Sequence, residues 1–258
     1  MVIKIKQPIN YGNWVPRNMI YFFILVFLLL LIPTLFPIGL VLKIVLWIIA
    51  GIWVLPFAYL MYLYSFFSAN NKEIQYKIWD LVLQKLPWNG QGKALDIGTG
   101  AGGLAIQLAK RFPESNVYGI DYWGKSWNYS KQQCEKNSEI EGVADQLIFQ
   151  KASASKLPFK DGEFDAIVSN FVYHEVRDTK DRRKLINESL RVLKKGGKFS
   201  LQDTFNNKKR YGILEDFINQ IKEWGVEQVN FTETLEEISI PKIVKPELKT
   251  MGVLYGIK

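Results

Sequence analysis

Two long apolar runs fill the first quarter of the chain, and short apolar blocks alternate with amphipathic stretches through the rest. Met19 to Leu42 is a run of 24 residues without a charge, and after Lys43 a second uncharged run of 28 extends from Ile44 to Asn71. A bilayer core requires about 20 apolar residues as a helix, so each run is long enough to span. Pro33, Pro37 and Gly39 fall between the two apolar centres, where a turn is wanted. The pattern predicts a hairpin of two transmembrane helices, about 18–36 and 41–66, within an N-terminal segment 1–70. A re-entrant or in-plane hairpin, which Pro33, Pro37 and Pro56 favour, is the leading alternative, ahead of a buried core hairpin and a cleaved signal peptide.

From residue 71 to 258 the pattern changes to that of a folded domain. Residues 72–86 have helical apolar spacing at Ile74, Ile78, Leu81 and Leu86. Strand signals follow at 93–97, 116–120, 146–151, 164–169 and 198–202, with helices at 102–111, 125–137 and 179–194. Residues 228–232 and 251–257 suit an antiparallel pair at a sheet edge. Alternation of this kind predicts an α/β, doubly wound, mostly parallel sheet.

Charge sharpens the picture. The net charge is +8, but residues 1–70 hold Lys4, Lys6, Arg17 and Lys43 with no acid, so half of that excess lies in the apolar segment. The domain is only mildly basic and has no nucleic-acid-binding face; membrane lipids are the expected partner of the basic flank. Lys4, Lys6 and Arg17 precede the hairpin and Lys72 and Lys77 follow it, which places both termini and the domain in the cytoplasm. The single cysteine, Cys134, allows no internal disulfide and no cysteine-based metal site, and no metal is expected.

The stretch LDIGTGAGG (95–103) carries the first chemistry. Gly98, Gly100 and Gly103 satisfy G-x-G-x-x-G, whose tight turn and helix start suit dinucleotides and other adenosyl ligands alike. Two carboxylates separate these ligands. Asp96, two residues before the first glycine, is unwelcome beside a pyrophosphate and welcome beside a cation. Asp121 ends the next strand, where an acid suits ribose hydroxyls. Together they fit S-adenosylmethionine (SAM) better than a nicotinamide cofactor.

Four stretches in order, ALDIGTGAGG (94–103), YGID (118–121), SKLPFKDGEFDAIVSNFVYHEV (155–176) and LRVLKKGGKF (190–199), resemble class I SAM-dependent methyltransferases of the small-molecule type that includes ubiquinone/menaquinone methyltransferases. That resemblance implies a seven-stranded Rossmann-like methyltransferase fold, here preceded by two transmembrane helices. It implies a loop of Asp96, Gly98, Thr99, Gly100 and Gly102 around SAM, with Asp121 on the ribose hydroxyls and Tyr122 or Trp123 over the adenine. Many relatives have Asp-Ala ahead of the L-P-F motif; here the pair is Ser153-Ala154, so an uncharged hydroxyl stands where they have the acid that accepts from adenine. Asn170-Phe171-Val172-Tyr173 is faintly similar to the Asn-Pro-Pro-Tyr motif of amino-group methyltransferases, without its prolines, which makes Asn170 a further candidate.

Methyl transfer from a sulfonium needs alignment above all, and a base only where the acceptor must lose a proton. His174, the only histidine, follows the fourth parallel strand next to Glu175 and is the candidate catalytic residue. Trp123, Trp127 and Tyr129 are candidates for an acceptor pocket. The resulting expectation is a membrane-anchored, multi-pass methyltransferase acting on a small or lipidic acceptor. A non-catalytic SAM-binding membrane module and a nicotinamide-dependent oxidoreductase are the competing readings.

Overall fold

The computed structural model describes residues 8–68, 73–124 and 129–258. Residues 12–75 make one compact unit; residues 8–11 group with 76–124 and 129–258 in the other.

In the first unit, α1 (Arg17–Leu31) continues into a 3₁₀ turn at Ile32–Leu35, where Pro33 supplies a fixed φ at the start of the tighter turn. Gly39 then caps α2 (Leu40–Phe66). The expected first helix therefore keeps its span but changes form over its last turn. Phe23 packs on Trp53 and Phe57, and Phe27 on Phe57, along the seam of the two helices. At the open end of the hairpin Asn13 bridges to Ser68 and donates from Nδ2 to the Tyr64 carbonyl (2.6 Å). The outer faces are apolar and bare: Leu35 is 81% exposed, and Val41 and Leu55 77%. Spans Arg17–Leu35 and Leu40–Phe66 are long and apolar enough to cross a membrane.

The second unit has, among the described residues, a seven-stranded sheet in the order β3-β2-β1-β4-β5-β7-β6. Its strands are β1 (Gly92–Ile97), β2 (Ser115–Asp121), β3 (Leu147–Lys151), β4 (Phe164–Asn170), β5 (Leu193–Asp203), β6 (Gln228–Glu233) and β7 (Gly252–Ile257). The first five run parallel; β7 pairs antiparallel with both β5 and β6, forming the expected edge hairpin. Around the sheet lie α3 (Ile74–Gln84), α4 (Gly103–Arg111), α5 (Lys131–Glu141), α6 (Arg183–Val192), α7 (Lys208–Tyr211), α8 (Leu214–Glu223), α9 (Thr234–Glu237) and α10 (Lys245–Leu248). Strands β1 and β4 are buried along most of their length, as strands covered on both faces are, and Leu95, Ile97, Ile167 and Phe199 join one core with Leu185, Leu190 and Phe217.

Three elements start more than two residues from where the sequence reading puts them. Helix α5 begins at Lys131, where Ser130 caps it through Gln133 N (3.1 Å); the expected earlier turn at 125–128, with Trp127, lies outside the described residues. Helix α6 begins at Arg183, whose N–H is taken by the Asp181 carboxylate (3.1 Å), rather than at Thr179. Strand β5 starts at Leu193, opposite Phe164, ahead of the Gly196–Gly197 pair, and the register then shifts before Lys198 meets Ala166. The strand order reverses between β1 and β4, and ligands of open α/β sheets lie outside the strands' carboxyl ends at such a switch.

Candidate active site

Three of the parallel strands end in acids at that edge: Asp96 near the end of β1, Asp121 on β2 and Asp203 on β5. The loop after β1 is hung from its neighbour. Both Gly98 N and Thr99 N donate to the Ile120 carbonyl (2.7 and 2.9 Å), and Gly102 N closes the turn on Thr99 O (2.8 Å). Gly98, Gly100 and Gly102 all have positive φ. At Gly98 a Cβ would also lie 2.1 Å from the Val172 side chain, so φ and space both require glycine. Val172 is thereby placed directly over the loop.

Asp121 faces this loop. Its Oδ2 accepts from Gly100 N (2.9 Å) and its Oδ1 from Trp123 N (2.7 Å). A carboxylate oxygen has two acceptor sites, so each retains one for a further donor. Burial raises the Asp121 pKa above its ordinary value, against the backbone N–H groups that hold it. Asp96 is buried and its Oδ2 has no hydrogen-bond partner among the described residues. Burial pushes its carboxyl up to about 7, and the nearby Asp121 charge adds to the push. Asn170 Oδ1, at the end of β4, is likewise buried without a partner. Thr99 is buried beneath the loop.

The set is rich in unsatisfied acceptors, and it asks for a ligand that brings donors and positive charge. A SAM molecule offers an ammonium, two ribose hydroxyls and a sulfonium, so the residues present fit it. A pyrophosphate would instead meet carboxylates.

The other adenosyl candidates are placed differently. Tyr122 is exposed, with Lys151 Nζ over its ring (5.2 Å). Trp123, at φ 45°, turns its indole back so that Nε1 donates to Gly100 O (2.9 Å). Ala154 is absorbed by the core. Ser153 donates from Oγ to Asp178 Oδ2 (2.9 Å), and Ser155 Oγ meets the same oxygen (2.5 Å). The acid lacking at position 153 is thus present nearby, on the loop before α6. Tyr129 lies against the loop, its ring 3.6 Å from where a Gly100 Cβ would be.

His174 is held by a residue that the sequence reading passed over. Its Nδ1 lies 3.1 Å from both Asp203 oxygens, and its backbone N–H also reaches Asp203 Oδ2 (3.3 Å). The imidazole is 9% exposed and the carboxylate fully buried. Thr204 N (2.6 Å) and Thr204 Oγ1 (3.0 Å) both donate to Asp203 Oδ1, and Arg210 Nη1 donates to Thr204 Oγ1 (3.1 Å). Phe171, at φ 63°, sets its ring edge-on to the imidazole at 5.0 Å. Burial alone would lower the His174 pKa; the charge and hydrogen bond of Asp203 outweigh it and raise the value, Glu175 adding and Arg210 opposing. Burial would raise Asp203, but His174 and the backbone N–H groups of Thr204 and His174 bring it down. With Nδ1 between two carboxylate oxygens, the neutral ring keeps its proton there and carries its lone pair on Nε2. Glu175 Oε1 is 3.6 Å from Nε2, too far for a strong hold. Such an imidazole is competent as a base.

The family described as "Methyltransferase domain" matches residues 95–201, from the glycine loop to the body of β5. Residues 95–201 thus match the model of a methyltransferase domain. The chain is similar to the ubiquinone/menaquinone biosynthesis C-methyltransferase of Geotalea daltonii, 33% identical over 117 residues, 45% of this chain and 47% of that protein. It is also similar to the demethylmenaquinone methyltransferase of Thermus thermophilus, 34% identical over 119 residues, 46% of this chain and 48% of that protein. The chain thus spans about half the length of the curated relatives it matches. Among solved structures, the geranyl diphosphate C-methyltransferase of Streptomyces coelicolor superposes with a TM-score of 0.53 at 14% identity, over 71% of this chain and 79% of that one. This shows a shared fold.

Proposed function

We propose that the chain is a membrane-anchored enzyme that transfers the methyl group of SAM to a small lipophilic acceptor, with quinone-like rings the favoured class. The observation that carries the reading is the pairing of two sites along one sheet edge. One is a cradle of open acceptors at Asp96, Asp121 and Asn170; the other is a base held by a buried carboxylate at His174–Asp203. A binding module has no use for the second, which argues against the non-catalytic alternative. When bound, SAM supplies a methyl group on a sulfonium whose leaving group is neutral.

The chain's own residues divide the remaining work. Asp121 takes the ribose hydroxyls on its open lone pairs while Gly100 N and Trp123 N fix its plane. Asp96 and Asn170 take the cationic end. His174 Nε2 removes a proton from an acidic hydroxyl or ring carbon of the acceptor, and Asp203 stabilises the imidazolium that forms. The curated relatives cited are named for ubiquinone and menaquinone methylation, and the apolar hairpin agrees with an acceptor that resides in the bilayer. Confinement raises the effective concentration of such an acceptor.

The proposed division is a hairpin within 1–70 and the enzyme domain over 71–258, both termini cytoplasmic. An impermeant thiol reagent should fail to label a cysteine introduced at Glu227 in intact cells; labelling there would reverse the orientation. Lipid and quinone extracts of cells lacking the gene should accumulate a species lighter by one methylene than the wild-type product. Identical extracts would remove the lipophilic acceptor from the account.

A further inference from the structure

Asn137 is fully buried in α5, an unusual place for an amide, which is a weak helix former and costly to bury unpaired. It is paired on both sides of the amide. Nδ2 donates to the Ala101 carbonyl (2.9 Å) and to the Asn10 carbonyl (2.8 Å). Oδ1 accepts from the Asn10 N–H (3.2 Å) and from Gln133 Nε2 (3.1 Å). Ala101 lies inside the glycine loop, and Asn10 lies 127 residues away, six residues ahead of Pro16 at the start of the first apolar helix. One side chain therefore joins the cofactor loop to the chain that enters the hairpin.

The neighbouring residue makes a second link. Tyr11 is 4% exposed, packs edge-on to Tyr76 and Trp79, and donates from its hydroxyl to Glu141 Oε1 (3.1 Å), at the end of α5. Glu141 also takes Lys110 Nζ of α4 (2.7 Å). The Trp79 ring fills the place a Cβ on Gly103 would take, 2.3 Å from it, at the point where the loop becomes α4. Residues 10 and 11 thus contact the loop's supports by two routes, through Asn137 and through Trp79.

We infer that residues 8–11 form a strap that holds the cofactor loop in its binding shape through Asn137, so that cofactor affinity depends on the segment leading into the membrane hairpin. This rests on reading loop 98–103 as the SAM cradle. The carbonyl of Ala101 and the fixed course of the loop are what the strap controls; Asn137 is a positioning residue and touches no reacting atom. Release of the strap takes away the Asn10 N–H and carbonyl that orient the buried Asn137 amide, so the amide's hold on the Ala101 carbonyl loosens and the loop loses its fixed course.

The test uses the full chain in lipid nanodiscs with S-adenosylhomocysteine as the probe. Calorimetric affinity and hydrogen exchange are compared for wild type, Asn137→Ala and Asn10→Pro. The proline removes the N–H that reaches Asn137 without altering α5. Both variants should bind the probe roughly tenfold more weakly, the scale of one or two lost hydrogen bonds. Exchange at loop 98–103 should rise while β5 and β7 stay protected. Affinity within twofold of wild type in the folded variants would overturn the strap. So would a uniform rise in exchange across the sheet, which marks a purely structural role. If the wild type fails to bind the probe, the SAM reading fails instead, and the local rise in exchange still decides the strap.

Discussion

Asp203→Asn is expected to slow methyl transfer by roughly 10²–10⁴, the usual worth of a positioned proton acceptor. An asparagine fits the cavity, but its amide can turn its NH₂ toward His174 Nδ1, which favours the tautomer with the proton on Nε2. The base then faces the acceptor already protonated. The charge that raises the His174 pKa is lost as well. In the wild type, kcat should rise with pH through a limb above the ordinary histidine value of 6.5; in the variant the limb should move down as the plateau falls.

The same pair makes a signed stability statement. Asp203, with its pKa lowered, stabilises the fold above its ordinary 3.8 and loses this as pH falls through its folded value. His174, with its pKa raised, contributes fully below 6.5 and loses this as pH rises through its folded value. The pair is therefore most stabilising between about pH 3.8 and 6.5, below the range where the ring is free to act as a base. Rate profiles by S-adenosylhomocysteine release, with membrane extract as acceptor, check the first claim. An unchanged kcat in Asp203→Asn would leave the dyad a packing feature.

Asp121→Ala should weaken SAM binding by at least tenfold. Two charge-assisted hydrogen bonds to the ribose are lost, each of about 1.5–3 kcal/mol before water compensates. The Gly100 N–H loses its acceptor too. Calorimetry on the full chain gives the number, and a melting curve separates a lost ligand contact from a lost fold. In the same titrations wild-type affinity should improve from pH 6 to pH 8. A cation binds the ionised Asp96, and a carboxyl poised at about 7 must release its proton below that pH for binding to occur. Asp96→Asn should flatten this dependence. A flat wild-type profile would place the cation elsewhere.

The order of strands and helices was legible because four of the five parallel strands, all but β3, are short blocks with apolar centres closed by glycine, acid or asparagine. Two of the three strand-terminal acids were legible for the same reason: Asp96 and Asp121 flank a glycine loop that announces a ligand. Asp203 ends β5 in the same way, but no glycine loop follows it. Its partner His174 is 29 residues distant and reaches it only because β4 and β5 are neighbours. Asp178 escaped on similar grounds: the substitution at Ser153 was visible, whereas the acid that meets it comes from 25 positions away. The Asn10–Asn137 clasp spans nearly half the chain and leaves no periodic trace, since each residue alone looks like a surface amide. Local pattern gives elements and loops; contacts between sheet ends need the fold.

The most direct test supplies purified full chain with SAM labelled in its methyl group and with quinone- and lipid-containing membrane extract. After reaction the organic phase is counted. The account predicts label in a solvent-extractable small molecule with wild type, little with Asp203→Asn, and little with Asp121→Ala at limiting SAM. SAM bound normally with no label in any extractable product would contradict it and leave the chain a SAM-binding membrane module.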